Sequence, residues 1–129
     1  MPWNRDRILV LLSGAIFLFF GAWLFTIPTA LEGIGIQLTT QEAVIDVRAT
    51  YGGLELGLAA FFFIAQGKPS WYRPSLFAAA LAIAGFGACR LLGMALAAEA
   101  PPLMVFFFVI EVVAASVLIW AYRTTEAPE

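Results

Sequence analysis

The sequence has 129 residues, of which 62% are hydrophobic and only 12% are charged, and its mean hydropathy is +0.91. A soluble domain carries about 25% charged residues, so this composition excludes an ordinary soluble domain and predicts a chain that faces lipid. The net charge is only -2 and the few basic residues are scattered along the sequence, which sets nucleic acid aside as a partner.

Four apolar segments follow one another along the chain, separated by short stretches rich in proline and glycine. Each has the roughly 20 residues that a helix needs to cross a hydrocarbon core of about 30 Å. The predicted spans run near residues 7–27, 44–65, 74–98 and 103–122. The sequence therefore predicts an all-α protein, with residues 1–129 forming a single domain that is a four-helix transmembrane bundle.

The first predicted span follows Arg5 and Arg7, so a cleaved signal peptide is the alternative interpretation. Its apolar run is longer than the roughly 7–15 residues of a signal-peptide core, and "PTA" before Leu31 is a poor cleavage site. We therefore expect this segment to remain as a membrane span. In the loop that follows, Thr40, with Thr39 as the other choice, is expected to cap the second helix.

Polar residues recur along the second predicted span, in "DVRATYGGLELGL". Arg48, Tyr51, Gly52 and Glu55 have the spacing i, i+3, i+4, i+7, which places them on one stripe of an α-helix. The stripe combines the two charged side chains and the phenol of Tyr51 with Gly52, which has no side chain. This pattern predicts a polar face on the second helix.

Small residues also recur at helical spacing. Gly53 and Gly57 form a G-x-x-x-G step, and a stripe on the third span includes Cys89, the single cysteine. Small residues let helices approach closely in lipid, so the predicted role is helix packing. The residues assigned to it are Gly52, Gly53, Gly57, Gly85 and Gly93.

Three charged residues occur at a similar predicted depth in three different spans. Glu55, Arg90 and Glu111 each lie about eight or nine residues from the same predicted boundary, or roughly 12–14 Å at 1.5 Å per residue. An unpaired charge at mid-bilayer costs at least about 2.5–3.5 kcal/mol, so we expect pairing. The guanidinium of Arg90 can serve two carboxylates, with Arg48 supplying a second positive charge.

Three interpretations of these charges remain open. They can form a structural ion pair that fixes which helices pack together. They can form a site that binds a ligand or a proton, or they can contact a membrane helix of another protein.

The distribution of basic residues predicts the orientation in the membrane. If the helices alternate in direction, one side collects Arg5, Arg7, Lys68, Arg73 and Arg123. The aromatic residues Trp3, Trp71, Tyr72, Trp120 and Tyr122 lie at the same side, as in an interfacial belt. We therefore expect both termini to be cytoplasmic and the chain to be a multi-pass protein of the bacterial inner membrane.

The segments "VRATYGGLELGL", "CRLLGMAL" and "FFFVIEVVAASVLIW" resemble a family of small bacterial four-helix membrane proteins known only as a domain of unknown function. The family pattern is R-A-x-Y/F-G-G-x-x-x-G on the second helix, R-L-x-G on the third and a glutamate in the fourth. The matching residues are Arg48, Ala49, Tyr51, Gly52, Gly53, Gly57, Arg90, Leu91, Gly93 and Glu111. The resemblance implies the fold and the position of the site, and it does not imply an activity.

The predicted function is binding or transport of a small solute or a proton at a polar pocket that opens outward. The pocket residues are Arg48, Tyr51, Glu55, Arg90 and Glu111. The alternative is a structural or accessory subunit of a membrane complex, in which the charges form only an ion pair. The expected partners are the lipid bilayer and either a second copy of the chain or another membrane protein.

An enzyme is the least favoured interpretation, because the sequence contains no histidine, the commonest general base and metal ligand. Only Tyr51 and Cys89 are near the predicted carboxylates as candidate nucleophiles or bases. We therefore predict no catalytic residue, no metal and no cofactor.

Overall fold

The computed structural model describes residues 4–125, so Trp3 of the predicted aromatic belt lies outside the described residues. Within that range the chain is helical and contains no strand, which confirms the predicted all-α class. The α-helices are α1 (Arg5–Thr26), α2 (Gln41–Val47), α3 (Leu54–Ala65), α4 (Tyr72–Ala97) and α5 (Pro102–Thr124).

Four helical segments of the described chain are long and apolar enough to cross a membrane. These segments are Arg5–Thr26, Gln41–Ala65, Pro69–Ala97 and Pro102–Thr124, and they are called the first to fourth spans below. Their bounds agree with the predicted spans to within a few residues. The second span joins α2 to α3 through a π-helical segment, Arg48–Gly53, that the sequence pattern did not predict.

The chain divides into two compact units. The N-terminal unit comprises Val10–Gly67, and the C-terminal unit comprises the described residues before Val10 and after Gly67. Each unit is built around a pair of antiparallel helical segments. The single domain over residues 1–129 stays a prediction.

In the N-terminal unit, α1 packs against the second span along one face. The buried residues of this face alternate in steps of four and three, and they are Val10, Gly14, Phe17, Gly21 and Leu24. The ring of Phe17 stacks on that of Phe62, with 5.6 Å between centroids. Burying large apolar side chains contributes about 1.5–3 kcal/mol each relative to water, but in lipid the gain comes mainly from packing contacts.

The connection between α1 and α2 is ordered by local hydrogen bonds. It begins with a 3₁₀ helix, Pro28–Ile34, and Leu31 on that helix packs with Leu24 and Val47 in a small apolar cluster. The hydroxyl oxygen of Thr40 accepts a hydrogen bond from the amide of Ala43 at 3.2 Å. This contact confirms Thr40 as the cap of α2, because it satisfies an amide that the helix leaves unpaired.

In the C-terminal unit, α4 and α5 form an antiparallel hairpin. Leu76, Ala79 and Ala80 of α4 are fully buried, and small side chains such as those of the two alanines let helices approach closely. The ring of Phe77 stacks on that of Tyr122 at 4.8 Å. The hairpin turns at Ala98, whose φ of 52° is in the left-handed region.

Candidate functional site

The C-terminal unit contains an ion pair between Arg90 on α4 and Glu111 on α5. Nη2 of Arg90 donates to Oε1 of Glu111 at 2.6 Å, and Nε donates to Oε2 at 3.0 Å. The two side chains are 25% and 15% exposed. This forked arrangement uses both carboxylate oxygens, as a planar guanidinium allows. The predicted pairing of Arg90 with an acid of the fourth span is therefore present.

The other groups around the guanidinium of Arg90 are a thioether sulfur and an aromatic ring. Its Nη1 donates to the sulfur of Met104 at 3.4 Å, and its Cζ lies 5.3 Å from the ring centroid of Phe107. One turn before Arg90, a Cβ built at Gly87 would lie 3.5 Å from the Cβ of Glu111. Glu111 thus rests against a bare stretch of α4, which lets its carboxylate reach Arg90.

Glu55 belongs to the N-terminal unit and has different surroundings. It is half-buried at the start of α3, and its Oε2 is buried with no hydrogen-bond partner in the described part of the chain. Its backbone lies close to α1, since a Cβ at Gly21 would lie 3.0 Å from the Cβ of Glu55 and 2.8 Å from the amide nitrogen of Leu56. The close approach of the two helices therefore fixes the position from which the carboxyl extends.

Arg48 and Tyr51 occupy the π-helical segment that precedes Glu55. Nε of Arg48 donates to the carbonyl oxygen of Phe25 at 3.0 Å, and Tyr51 is 44% exposed. The predicted polar stripe assumed an uninterrupted α-helix with 3.6 residues per turn. That assumption is wrong for Arg48–Gly53, because this segment is a π-helix, whose turns are wider than those of an α-helix.

The structure therefore brings two of the five predicted site residues into direct contact, namely Arg90 and Glu111. Arg48, Tyr51 and Glu55 lie along one segment of the second span. A shared pocket for all five residues stays a prediction.

The predicted packing glycines differ in their surroundings. A Cβ at Gly52 would lie 2.9 Å from both Cα and Cβ of Phe25, so the backbones of α1 and the second span meet there. At Gly53 the nearest atom is the carbonyl oxygen of Arg48 at 3.6 Å. Three other positions have open space within their own units, and these are Gly57, Gly85 and Gly93.

Sequence reasoning missed two glycines of α1. A Cβ at Gly14 would lie 3.1 Å from the Cβ of Phe62, and Gly21 has the tighter contacts given above. The signal that could have identified them is their separation of seven residues, with Phe17 between them at the spacing of a packed helix face. A G-x-x-x-G pattern, with glycines four residues apart, does not include this pair.

Two surface depressions differ in their lining. A depression of about 460 Å³ in the C-terminal unit is lined by Ala82, Gly85, Phe86, Cys89 and Arg90. Another of about 280 Å³ lies in the N-terminal unit and is lined by Glu32, Gly35, Gln37, Leu38 and Thr39. Neither is lined by Glu55. Glu55 therefore offers a buried hydrogen-bonding atom, and neither of these two depressions adjoins it.

The four long apolar helical segments have the length and composition of membrane spans. These are the features expected of a multi-pass membrane protein. Residues 6–122 match the family described as "Domain of unknown function (DUF4345)", and the chain belongs to this family. No curated protein and no solved structure matches the chain. The match agrees with the resemblance to an uncharacterised family, and the particular motifs assigned to that family stay a prediction.

Proposed function

We propose that this protein binds a proton at Glu55 and passes it along the second span. In this proposal the chain is a multi-pass protein of the bacterial inner membrane with both termini in the cytoplasm. The observation that carries the proposal is the buried Oε2 of Glu55, which has no hydrogen-bond partner in the described chain. Carboxyl groups inside membrane spans are rare, and they mark proton and ion pathways.

Two further observations support a proton site at Glu55. The two surface depressions described above are lined by residues other than Glu55, and a proton, unlike a ligand-sized molecule, needs no such space. A π-helical segment, Arg48–Gly53, directly precedes Glu55, and such segments inside α-helices are frequent at functional sites. Proton binding removes the charge of the carboxylate without requiring a cavity.

The infrared spectrum of the protein in lipid nanodiscs tests proton binding. The carbonyl stretch of a protonated carboxylic acid is separate from the bands of carboxylates, and ¹³C labelling of glutamate identifies it. We expect this band in the wild type and its loss in Glu55→Gln. The matched control is Glu111→Gln, which removes a paired carboxylate and should leave the band in place. A band unchanged by Glu55→Gln would contradict the proposal.

Proton passage requires a separate measurement. Proteoliposomes with an entrapped pH-sensitive dye should respond to an imposed pH gradient faster than empty liposomes do. Glu55→Gln should reduce the rate to that of empty liposomes. If the infrared band is present while the flux equals that of empty liposomes, Glu55 binds a proton but does not pass it.

The orientation is tested with reporter fusions at the two termini. A cytoplasmic reporter should be active at both ends, because basic residues are retained on the cytoplasmic side. An active periplasmic reporter at either end would contradict the proposed orientation.

A structural or accessory subunit is the second candidate function, and the Arg90–Glu111 pair favours it. The forked contact engages both carboxylate oxygens, so this pair can serve solely to fix α4 against α5. The partner in this case is a second copy or another membrane protein. The mass of the complex in mild detergent tests the homo-oligomer, and a mass of one chain would exclude it under those conditions.

A further inference from the structure

The described basic residues outside the N-terminal unit, apart from Arg90, lie at one end of the C-terminal unit. They are Arg5, Arg7, Lys68, Arg73 and Arg123. The described acidic residue at this end is Asp6, so five positive charges face one negative charge. In the sequence Glu126 and Glu129 follow, outside the described residues. This end, called the basic end below, retains a positive surplus.

Three of these cationic side chains form cation–π contacts with aromatic rings. Nζ of Lys68 lies 4.3 Å from the ring centroid of Trp71, and Cζ of Arg73 lies 4.5 Å from that of Tyr122. Cζ of Arg5 lies 4.9 Å from the ring of Trp120. A ring attracts a cation without neutralising it, because the ring has no net charge. These ring contacts therefore position the charges without cancelling them.

The cations differ in how far their hydrogen bonds are satisfied. Arg5 donates to Asp6 at 2.8 Å and to the hydroxyl of Thr124 at 2.7 Å. Nε of Arg73 is buried and has no hydrogen-bond partner in the described chain. Lys68 is exposed and Arg73 is partly exposed, and among residues 4–125 neither forms an ion pair of the kind that Arg5 forms with Asp6. Arg73 and Lys68 are therefore better placed than Arg5 to take an external acceptor.

We propose that the basic end binds the headgroup phosphate of an anionic phospholipid, with Arg73 and Lys68 as its main contacts. Lys68 directly precedes the third span, Pro69–Ala97, and the fourth span ends at Thr124. Lipid headgroups lie at the ends of membrane spans, and aromatic rings such as those of Trp71 and Tyr122 are enriched there. The charge of the basic end complements an anionic headgroup, and basic residues beside a span attract such lipids.

Native mass spectrometry of the intact chain in detergent tests this site. Phosphatidylglycerol and phosphatidylcholine are titrated separately, and the affinity of each is measured from the bound fraction. Wild type should prefer phosphatidylglycerol. Arg73→Gln and Lys68→Gln should each weaken its binding about fivefold, the factor for roughly 1 kcal/mol per basic residue near an anionic surface. Arg48→Gln is the matched control, since it removes the same charge from the N-terminal unit.

Several results would overturn the proposal. Equal affinity for the two lipids would show that charge does not select the headgroup. Equal weakening by Arg48→Gln and Arg73→Gln would show an effect of net charge instead of a site. Competition by inorganic phosphate at the concentration of the lipid would identify a soluble anion as the ligand. Circular dichroism checks folding, and the exposed Lys68 supplies the decisive variant if Arg73→Gln does not fold.

Discussion

Glu55 and Glu111 are both glutamates within long apolar spans, and their surroundings are opposite. In the C-terminal unit, both oxygens of Glu111 accept hydrogen bonds from Arg90. In the N-terminal unit, Oε2 of Glu55 is buried without a hydrogen-bond partner among the described residues, and the helices there approach closely at glycines. The same residue type thus serves one unit as part of an ion pair and the other as an unpaired polar group.

The difference shows that two kinds of contact can position helices in lipid. An ion pair is directional, and it is costly to break because one charge then remains unpaired. Glycine contacts depend on backbone proximity, so they stabilise the helix pair through packing alone. An ion pair occupies the carboxylate that forms it, whereas glycine contacts leave a nearby carboxyl group available to bind a proton. The variants Glu111→Gln, Gly52→Ala and Glu55→Gln test this distinction, and Ala98→Gly tests the turn that joins α4 to α5; they follow in order of decreasing expected effect.

Glu111→Gln should cause the largest loss, about 3 kcal/mol in the free energy of unfolding, because it leaves the charge of Arg90 unpaired in an apolar span. Thermal unfolding in detergent measures it. Arg90→Lys serves as a companion variant, since it keeps the charge but cannot supply the fork. Substantial losses from both variants are expected; full stability of Glu111→Gln would show that the ion pair does not hold α4 against α5.

Gly52→Ala should destabilise the protein by about 2 kcal/mol, as overpacking usually does. The added Cβ would lie 2.9 Å from the Cα of Phe25, so a backbone must move. Gly57→Ala is the matched control on the same span, because no atom lies within 4 Å of its added Cβ within its own unit. Chemical unfolding of both variants measures the difference, and equal stabilities would argue against a glycine contact at position 52.

Ala98→Gly should stabilise the C-terminal unit by up to about 1 kcal/mol. Ala98 follows α4 as its C-cap with a φ of 52°, a conformation that costs an L-residue about 1–2 kcal/mol and glycine little. Ala95→Gly, inside the helix, is the control and should be destabilising. The two melting temperatures should therefore move in opposite directions, and a fall for Ala98→Gly would contradict the strain.

Glu55→Gln should change the free energy of unfolding by less than about 0.5 kcal/mol, the usual range for substitutions that remove no such interaction. Glutamine has nearly the shape of a protonated glutamate, and no hydrogen bond to Oε2 is lost in the described chain. The same thermal assay as for Glu111→Gln measures it. A loss as large as that of Glu111→Gln would mean that Glu55 also has a charged partner, and the contrast between the two acids would disappear.

Much of the architecture was predictable because lipid imposes it directly. A helix must be long and apolar to cross a membrane, so composition and length located all four spans. Thr40 was also predictable as a cap, since capping depends on neighbouring residues in the chain. The pairing of Arg90 with Glu111 followed from the cost of an unpaired charge, which is a property of each residue and its depth.

The π-helical segment and the glycine contacts were not predictable in the same way. The stripe proposed for Arg48, Tyr51 and Glu55 required a regular α-helix, and the local sequence gave no sign of its wider turns. In the sequence, Gly57 and Gly85 are as suitable for helix packing as Gly52 is. Of these three glycines, only Gly52 lies close to another helix within its unit. Which glycine is used depends on the rotation of each helix, and rotation is set by all contacts of the helix pair together.

The amino-acid sequence alone determined the four spans, their approximate ends and the presence of charged residues within them. The reason is that crossing a membrane depends on the hydrophobicity and the length of each apolar run, and both are properties of the local sequence. Within residues 4–125, the tertiary structure decided that Glu111 is paired and that Oε2 of Glu55 is not. Both glutamates are chemically identical, and their difference arises from neighbours distant in sequence: Arg90 beside Glu111, and the bare backbone of Gly21 beside Glu55.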